Sequence, residues 1–300
     1  MNPNPNARPF PIPVVAALGP GSQVEDETLD YITLPSGMDT YRPPLLPEPE
    51  ELAGHDDARR VLQAVLGAVQ VVRRGEAVAP IALDGLTAAE LALVNQVLGE
   101  GEVSARVLAL PETRGVDADA VCVRVQESVF AGVWRVQSMA DDGQTHDHVE
   151  VGAIPAVLRA AAADDARAVR GPLAPLPAGM VNVPTLLIEL EDQRGRWQPG
   201  HAPHVVNLTL LPLSPDDIAH IDHQLGTGRV VILSRGYGNC RITNTRVANT
   251  WRVVYYNSQD AVILNSIEVS GLPEVACAAP EDLADTEERL AEVLQWVAQA

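Results

Sequence analysis

Eighteen consecutive residues, 86–103, return as residues 213–230, 127 positions downstream and without a gap. Six of the positions are identical, and the physical pattern agrees better than the letters. Thr87 and Ser214 stand where a helix N-cap accepts a backbone N–H, and Glu90 and Asp217, three residues on, complete a capping box. Leu91, Val94 and Leu98 correspond to Ile218, Ile221 and Leu225, an apolar stripe at i, i+3 and i+7. Gly99 and Gly226 stand where a helix ends in a left-handed residue. Further on, Trp134-Arg-Val136 matches Trp251-Arg-Val253, and Glu150, Val151 and Pro155 match Glu268, Val269 and Pro273. A period this long predicts a duplicated domain rather than a solenoid.

Alternating or β-branched runs at 121–125, 134–138, 148–151, 230–233, 246–256 and 261–269 read as strands. Asp142-Gly143 and Asn257-Ser258 read as turns between them. Each unit thus runs strand, helix, several antiparallel strands and a Pro-initiated helix. The last helix, 280–300, is acidic at its start, as the helix dipole favours. The predicted class is α+β: two tandem repeats of a mainly antiparallel sheet with packed helices, related by a pseudo-twofold. Residues 1–50 hold 11 of the 24 prolines, so residues 1–54 read as an extended, acidic arm, either a disordered tail or a segment draped over its own body or a partner. The repeats then occupy 55–170 and 180–300, joined by a Gly/Pro-rich linker near 170–179.

Hydrophobic residues make up 46% of the chain, enough to build a core, and all 21 basic residues are arginine. With no lysine, Schiff-base chemistry is excluded. The net charge of −19 repels phosphate backbones and anionic lipid, which argues against nucleic-acid and membrane-surface partners and favours a basic protein segment. No apolar run is long enough to cross a bilayer and the first residues lack a secretory signal, so the expected location is cytoplasmic.

The segment Arg235-Gly-Tyr-Gly-Asn-Cys-Arg241 is the most suggestive for chemistry. Guanidiniums beside Cys240 would favour the thiolate, a nucleophile or soft-metal ligand. The competing reading is a glycine turn between strands, with Cys240 a small packed residue. Cys122, 12 residues before Trp134 as Cys240 is 11 before Trp251, sits near the corresponding place in the first repeat. His220 and His223, with Asp216 beside them, fall on the helix face opposite the apolar stripe, a metal-binding pattern or a solvated face. Arg135 and Arg252 each follow a Trp, so Arg and Trp point to opposite sheet faces. A tight hairpin would pair Arg135 with Glu150, and Arg252 with Glu268. No catalytic or dinucleotide fingerprint is present, and no cofactor is implied.

The strings Gly19-Pro-Gly-Ser-Gln23, Leu34-Pro-Ser-Gly-Met-Asp-Thr-Tyr41, Pro47-Glu-Pro-Glu50, the stretch from Ile232 to Ile242, and Asn257-Ser-Gln-Asp260 with Ile267-Glu-Val269 and Pro273-Glu-Val275 resemble the HupH/HyaF/HoxQ hydrogenase expression/formation proteins. The resemblance runs from about residue 13 to the end. It implies a non-enzymatic accessory protein for nickel–iron hydrogenase maturation that binds the iron–sulfur small subunit precursor before export, beside a thioredoxin-like companion. A homodimer is a further reading, and a metal- or cluster-handling protein using Cys240 is the alternative. The twin-arginine signal of such a precursor would suit an acidic partner. Glu25, Asp26, Glu27 and Asp30 of the arm, and Arg235, Tyr237, Asn239 and Arg241 of the glycine segment, are the candidate contact residues.

Overall fold

The computed structural model describes residues 54–109, 120–139, 144–167, 180, 182–236 and 238–297. The arm with Glu25, Asp26, Glu27 and Asp30, the Asp142-Gly143 turn, the 170–179 linker and Tyr237 lie outside the described residues. Six helices are described: α1 (Asp56–Arg73), α2 (Ala88–Leu98), α3 (Ala156–Arg167), α4 (Val183–Arg196), α5 (Pro215–Leu225) and α6 (Pro280–Val297). The strands are β1 (Ile81–Ala82), β2 (Val103–Leu108), β3 (Val121–Glu127), β4 (Val133–Met139), β5 (Thr145–Val151), β6 (His204–Asn207), β7 (Thr227–Ser234), β8 (Asn239–Thr245), β9 (Thr250–Tyr256) and β10 (Val262–Val269). The architecture is α+β.

The two capped helices form as their sequences dictate. Glu90 N–H donates to Thr87 Oγ1 at 3.3 Å, and Thr87 N–H donates to Glu90 Oε2 at 3.0 Å. In α5, Asp217 N–H donates to Ser214 Oγ at 3.1 Å and Ser214 N–H to Asp217 Oδ2 at 2.8 Å. Both helices stop at a glycine with positive φ, 56° at Gly99 and 67° at Gly226, whose N–H closes the last turn on Asn95 O and Asp222 O. The run 246–256 is not one strand. The chain turns at 246–249, where Asn249 adopts φ 55°, and the preceding glycine segment feeds directly into β8.

All ten strands join one antiparallel sheet in the order β1-β5-β4-β3-β2-β7-β8-β9-β10-β6. The strands before α3 therefore lie on one side of the β2–β7 junction and those after it on the other. At that junction Val103 faces Ser234, Ala105 faces Ile232 and Val107 faces Val230.

Strand alternation sorts the side chains onto two faces. On the front, Val103, Ala105, Val107, Val123, Val125, Val230, Ile232 and Ile242 form one continuous core over the central strands. Leu158 and Ala161 of α3, with Leu272 and Ala276, cover it. Trp134 and Trp251 close this core at its two ends, and their indole N–H groups donate to Gly152 O at 2.8 Å and Ser270 O at 3.2 Å.

On the back, α1 and α2 pack with Val133 and Val149, joined by Leu290 of α6. The helices α4 and α5 pack with Val206, Ile267 and Val269 on the other flank. Between these two helical layers the back of the central strands opens into a groove.

Candidate functional site

The glycine segment is a hairpin tip. Residues 235–238 link β7 to β8, with a bridge between Gly236 and Gly238, and Arg235 N–H donates to Glu102 O at 3.1 Å. A Cβ on Gly236 would lie 2.2 Å from Glu102 Oε2, so a side chain there would push that carboxylate aside.

Alternation along β8 then separates two residues that adjoin in sequence. Cys240 enters the front core at 3% exposure, opposite Tyr255. Burial pushes its thiol up to about 12, despite a hydrogen bond with Tyr255. Arg241 points to the back and gives Cys240 no stabilising cation, which favours the packed-residue reading over the thiolate. Cys277 is likewise raised, chiefly by burial. Cys122 is not the counterpart of Cys240. Counted from Glu127 opposite Trp134 and Asn244 opposite Trp251, Val123 holds that position. Cys122 instead donates its S–H to Val107 O at 3.2 Å.

The histidine pair sits on α5, behind the sheet from Cys240. His220 hydrogen-bonds Gln224 at 3.0 Å, and His223 is exposed. The structure therefore does not bring Cys240, Cys122, His220 and His223 together. Among the described residues no group of three or more His, Cys, Asp or Glu side chains is placed to hold a metal.

The two arginines after the tryptophans do face away from them, but their partners differ from expectation. Glu150 and Glu268 lie opposite Trp134 and Trp251, so they share the front face with the indoles and cannot meet Arg135 or Arg252. Arg135 instead grips Asp147 with Nε at 3.0 Å and Nη2 at 2.5 Å, and its Nη1 reaches Asn95 of α2 at 2.7 Å. Asp147 is partly buried, which works against ionisation, yet hydrogen bonds from Arg135 and Gln137 hold its carboxyl below the ordinary value. Arg252 is 9% exposed, and its Nη1 donates to Asp222 of α5 at 2.9 Å. Its Nε and Nη2 are buried without a hydrogen-bond partner.

Arg241 joins these residues in the groove. One part, about 640 Å³, lies over Ser104, Arg106, Arg124, Gln126, Arg135 and Gln137, walled by α2. A second, about 140 Å³, lies over Arg241, Thr243, Arg252 and Tyr256, walled by α5. Arg106 directly faces Arg124 across the β2–β3 pair. Partial burial first, then repulsion from Arg124 and Arg241, presses the Arg106 guanidinium below its ordinary value. Sequence reasoning missed Arg106 and Arg124, although a signal exists. Val103-Ser-Ala-Arg-Val107 and Val121-Cys-Val-Arg-Val125 each set one arginine in the polar phase of an apolar alternation.

A conserved pattern described as "HupH hydrogenase expression protein, C-terminal conserved region" matches residues 56–172 and again residues 180–297. The chain belongs to the HupH hydrogenase expression protein family. The first match in this HupH-family chain spans α1 to α3, and the second spans α4 to α6. The chain is 54% identical over 288 residues to hydrogenase expression/formation protein HoxQ of Cupriavidus necator, covering 96% of this chain and 98% of that protein. It is 45% identical over 289 residues to hydrogenase expression/formation protein HupH of Rhodobacter capsulatus, with the same coverage of both. Hydrogenase-1 operon protein HyaF of Escherichia coli K12 is 31% identical over 287 residues, 94% of this chain and 96% of that protein. Among the described residues no helix is long and apolar enough to cross a membrane.

Proposed function

We propose that this protein is a non-enzymatic accessory factor in nickel–iron hydrogenase maturation, holding the iron–sulfur small subunit precursor before export. The observation that carries the reading is near full-length similarity to relatives named hydrogenase expression/formation proteins. The buried, strongly protonated Cys240 thiol favours packing over catalysis in the glycine segment. The acidic arm residues Glu25, Asp26, Glu27 and Asp30, in a chain of net charge −19, suit a precursor whose signal segment carries arginines.

We further infer that 55–170 and 180–300 are copies of one unit related by an approximate twofold through the Ala105–Ile232 pair. Support comes from the palindromic strand order, from Ala105 facing the residue 127 positions on, and from the double family match.

Co-purification of the small subunit precursor with the full-length chain tests the functional reading. The precursor is expected in the eluate at low salt and depleted at high salt, and neutralising the four arm acids (Glu25→Gln, Asp26→Asn, Glu27→Gln, Asp30→Asn) should lower its yield. Absence of the precursor at low salt overturns the reading. Equal yields across salt and variant overturn its electrostatic part.

A further inference from the structure

The back of the central sheet gathers five of the chain's 21 arginines, Arg106, Arg124, Arg135, Arg241 and Arg252, along one groove. They occupy two neighbouring rows that cross the strands. Register puts Gln137, Arg124, Arg106, Val231, Thr243 and Arg252 in one row, and places Arg135 and Arg241 in the adjacent one. Such clustering runs against the overall charge of −19. It also carries a local cost, because like charges directly opposite each other destabilise an antiparallel pair. Arg106 facing Arg124 is that arrangement. Arg252 adds a second cost, since its Nε and Nη2 are desolvated without an acceptor. Departures of this kind from local consistency are expected at functional sites.

We propose that this groove binds an extended, carboxylate-rich peptide segment of a partner protein, read by guanidiniums that project from both sides of the β2–β7 junction. Guanidinium forks recognise carboxylates bidentately, and an all-arginine set is better suited to that geometry than lysines. From β4 to β9 is five strand spacings, roughly 24 Å at about 4.8 Å each. That distance matches an extended peptide of about seven residues. Among the described lining residues the five guanidiniums outnumber Glu100, Asp222 and the Asp147 carboxylate held by Arg135, so positive charge is in excess and favours an acidic segment over a neutral or cationic one. The field of the whole chain disfavours a polynucleotide, whose phosphates extend far beyond the groove. The site goes beyond the hydrogenase reading and uses none of the arm residues assigned to the precursor signal.

Isothermal titration of the full-length protein with a heptapeptide alternating glutamate and glycine tests the proposal, with the glutamine heptapeptide as control. Binding of the glutamate peptide that weakens as NaCl rises, with none of the glutamine peptide, is the expected result. Arg124→Glu combined with Arg241→Glu should weaken it roughly 10-fold or more at unchanged Tm. If that pair fails to fold, Arg124→Gln with Arg241→Gln should give a smaller loss in the same direction. Arg194→Glu with Arg196→Glu on α4, away from the groove, should leave binding unchanged. Equal binding of both peptides, indifference to the groove variants, or tighter binding of a single-stranded oligonucleotide overturns the proposal. So does binding that emerges only after the four arm acids are neutralised, which would make the chain's own arm the occupant.

Discussion

Glu127 ends β3 in a buried position, where Gly132 N–H donates to its Oε1 at 3.3 Å. Burial, helped by Glu102 and Asp282, pushes its carboxyl up to about 7 from an ordinary 4.5. The folded form therefore holds the proton more tightly than the unfolded form does. Its contribution to stability is complete below about pH 4.5 and is lost as pH rises through about 7, an effect of roughly 3 kcal/mol at most. The urea midpoint should fall between pH 5 and pH 8, and Glu127→Gln should flatten that slope. An identical slope in the variant would show that other groups set it. Neither this carboxyl nor the Cys240 thiol was legible from neighbours in sequence. Arg241 adjoins Cys240 in the chain yet faces the other side of the sheet, and Glu127 meets Gly132 of the β3–β4 turn and the charge of Asp282 in α6, far along the chain.

The helices α2 and α5 were readable because everything that makes them is local: a cap, a reciprocating carboxylate three residues on, a stripe and a glycine stop. What α3 does was not readable, since it follows the first set of strands but docks on β7 and β8. Its Asp165 accepts from Arg229 N–H and Nε at 2.7 Å and from Asn244 Nδ2 at 2.9 Å. The carboxylate side chain is 6% exposed and that of Arg229 17%, so removing one partner strands the other. Asp165→Ala should cost about 3 kcal/mol in chemical denaturation. Adding Arg229→Met should restore part of that loss, and a fully additive double variant would count against the pairing. In the reverse direction α6 returns to the first strands, where Thr286 Oγ1 donates to Ala131 O at 2.9 Å and Arg73 pairs with Glu287.

At the scale of the molecule, the front core draws Val103, Val125 and Leu158 together with Val230, Ile242 and Trp251, so the halves cannot lose it separately. Unfolding should appear as one calorimetric transition whose van't Hoff and calorimetric enthalpies agree. Two resolved transitions would mean that each half keeps a core of its own. The repeated helix signature pointed to two similar units, but a continuous sheet depends on the register of β2 against β7, which alternation alone does not encode. The same register gathers the groove arginines, which is why Arg106 and Arg124 stayed hidden until the strands were placed.

The outer margins of the sheet are short, two residues in β1 and four in β6, so little bare backbone is offered to neighbouring molecules. The centre is different while the protein is being made. The ribosome adds β2 127 residues before the matching point of β7, which at about 5–20 residues per second is roughly 6–25 s. Throughout that interval a nascent chain carries a half-finished strand ladder, with Val103, Ala105 and Val107 beside an unclaimed row of amides. The mature fold is safest where its biosynthesis is most vulnerable.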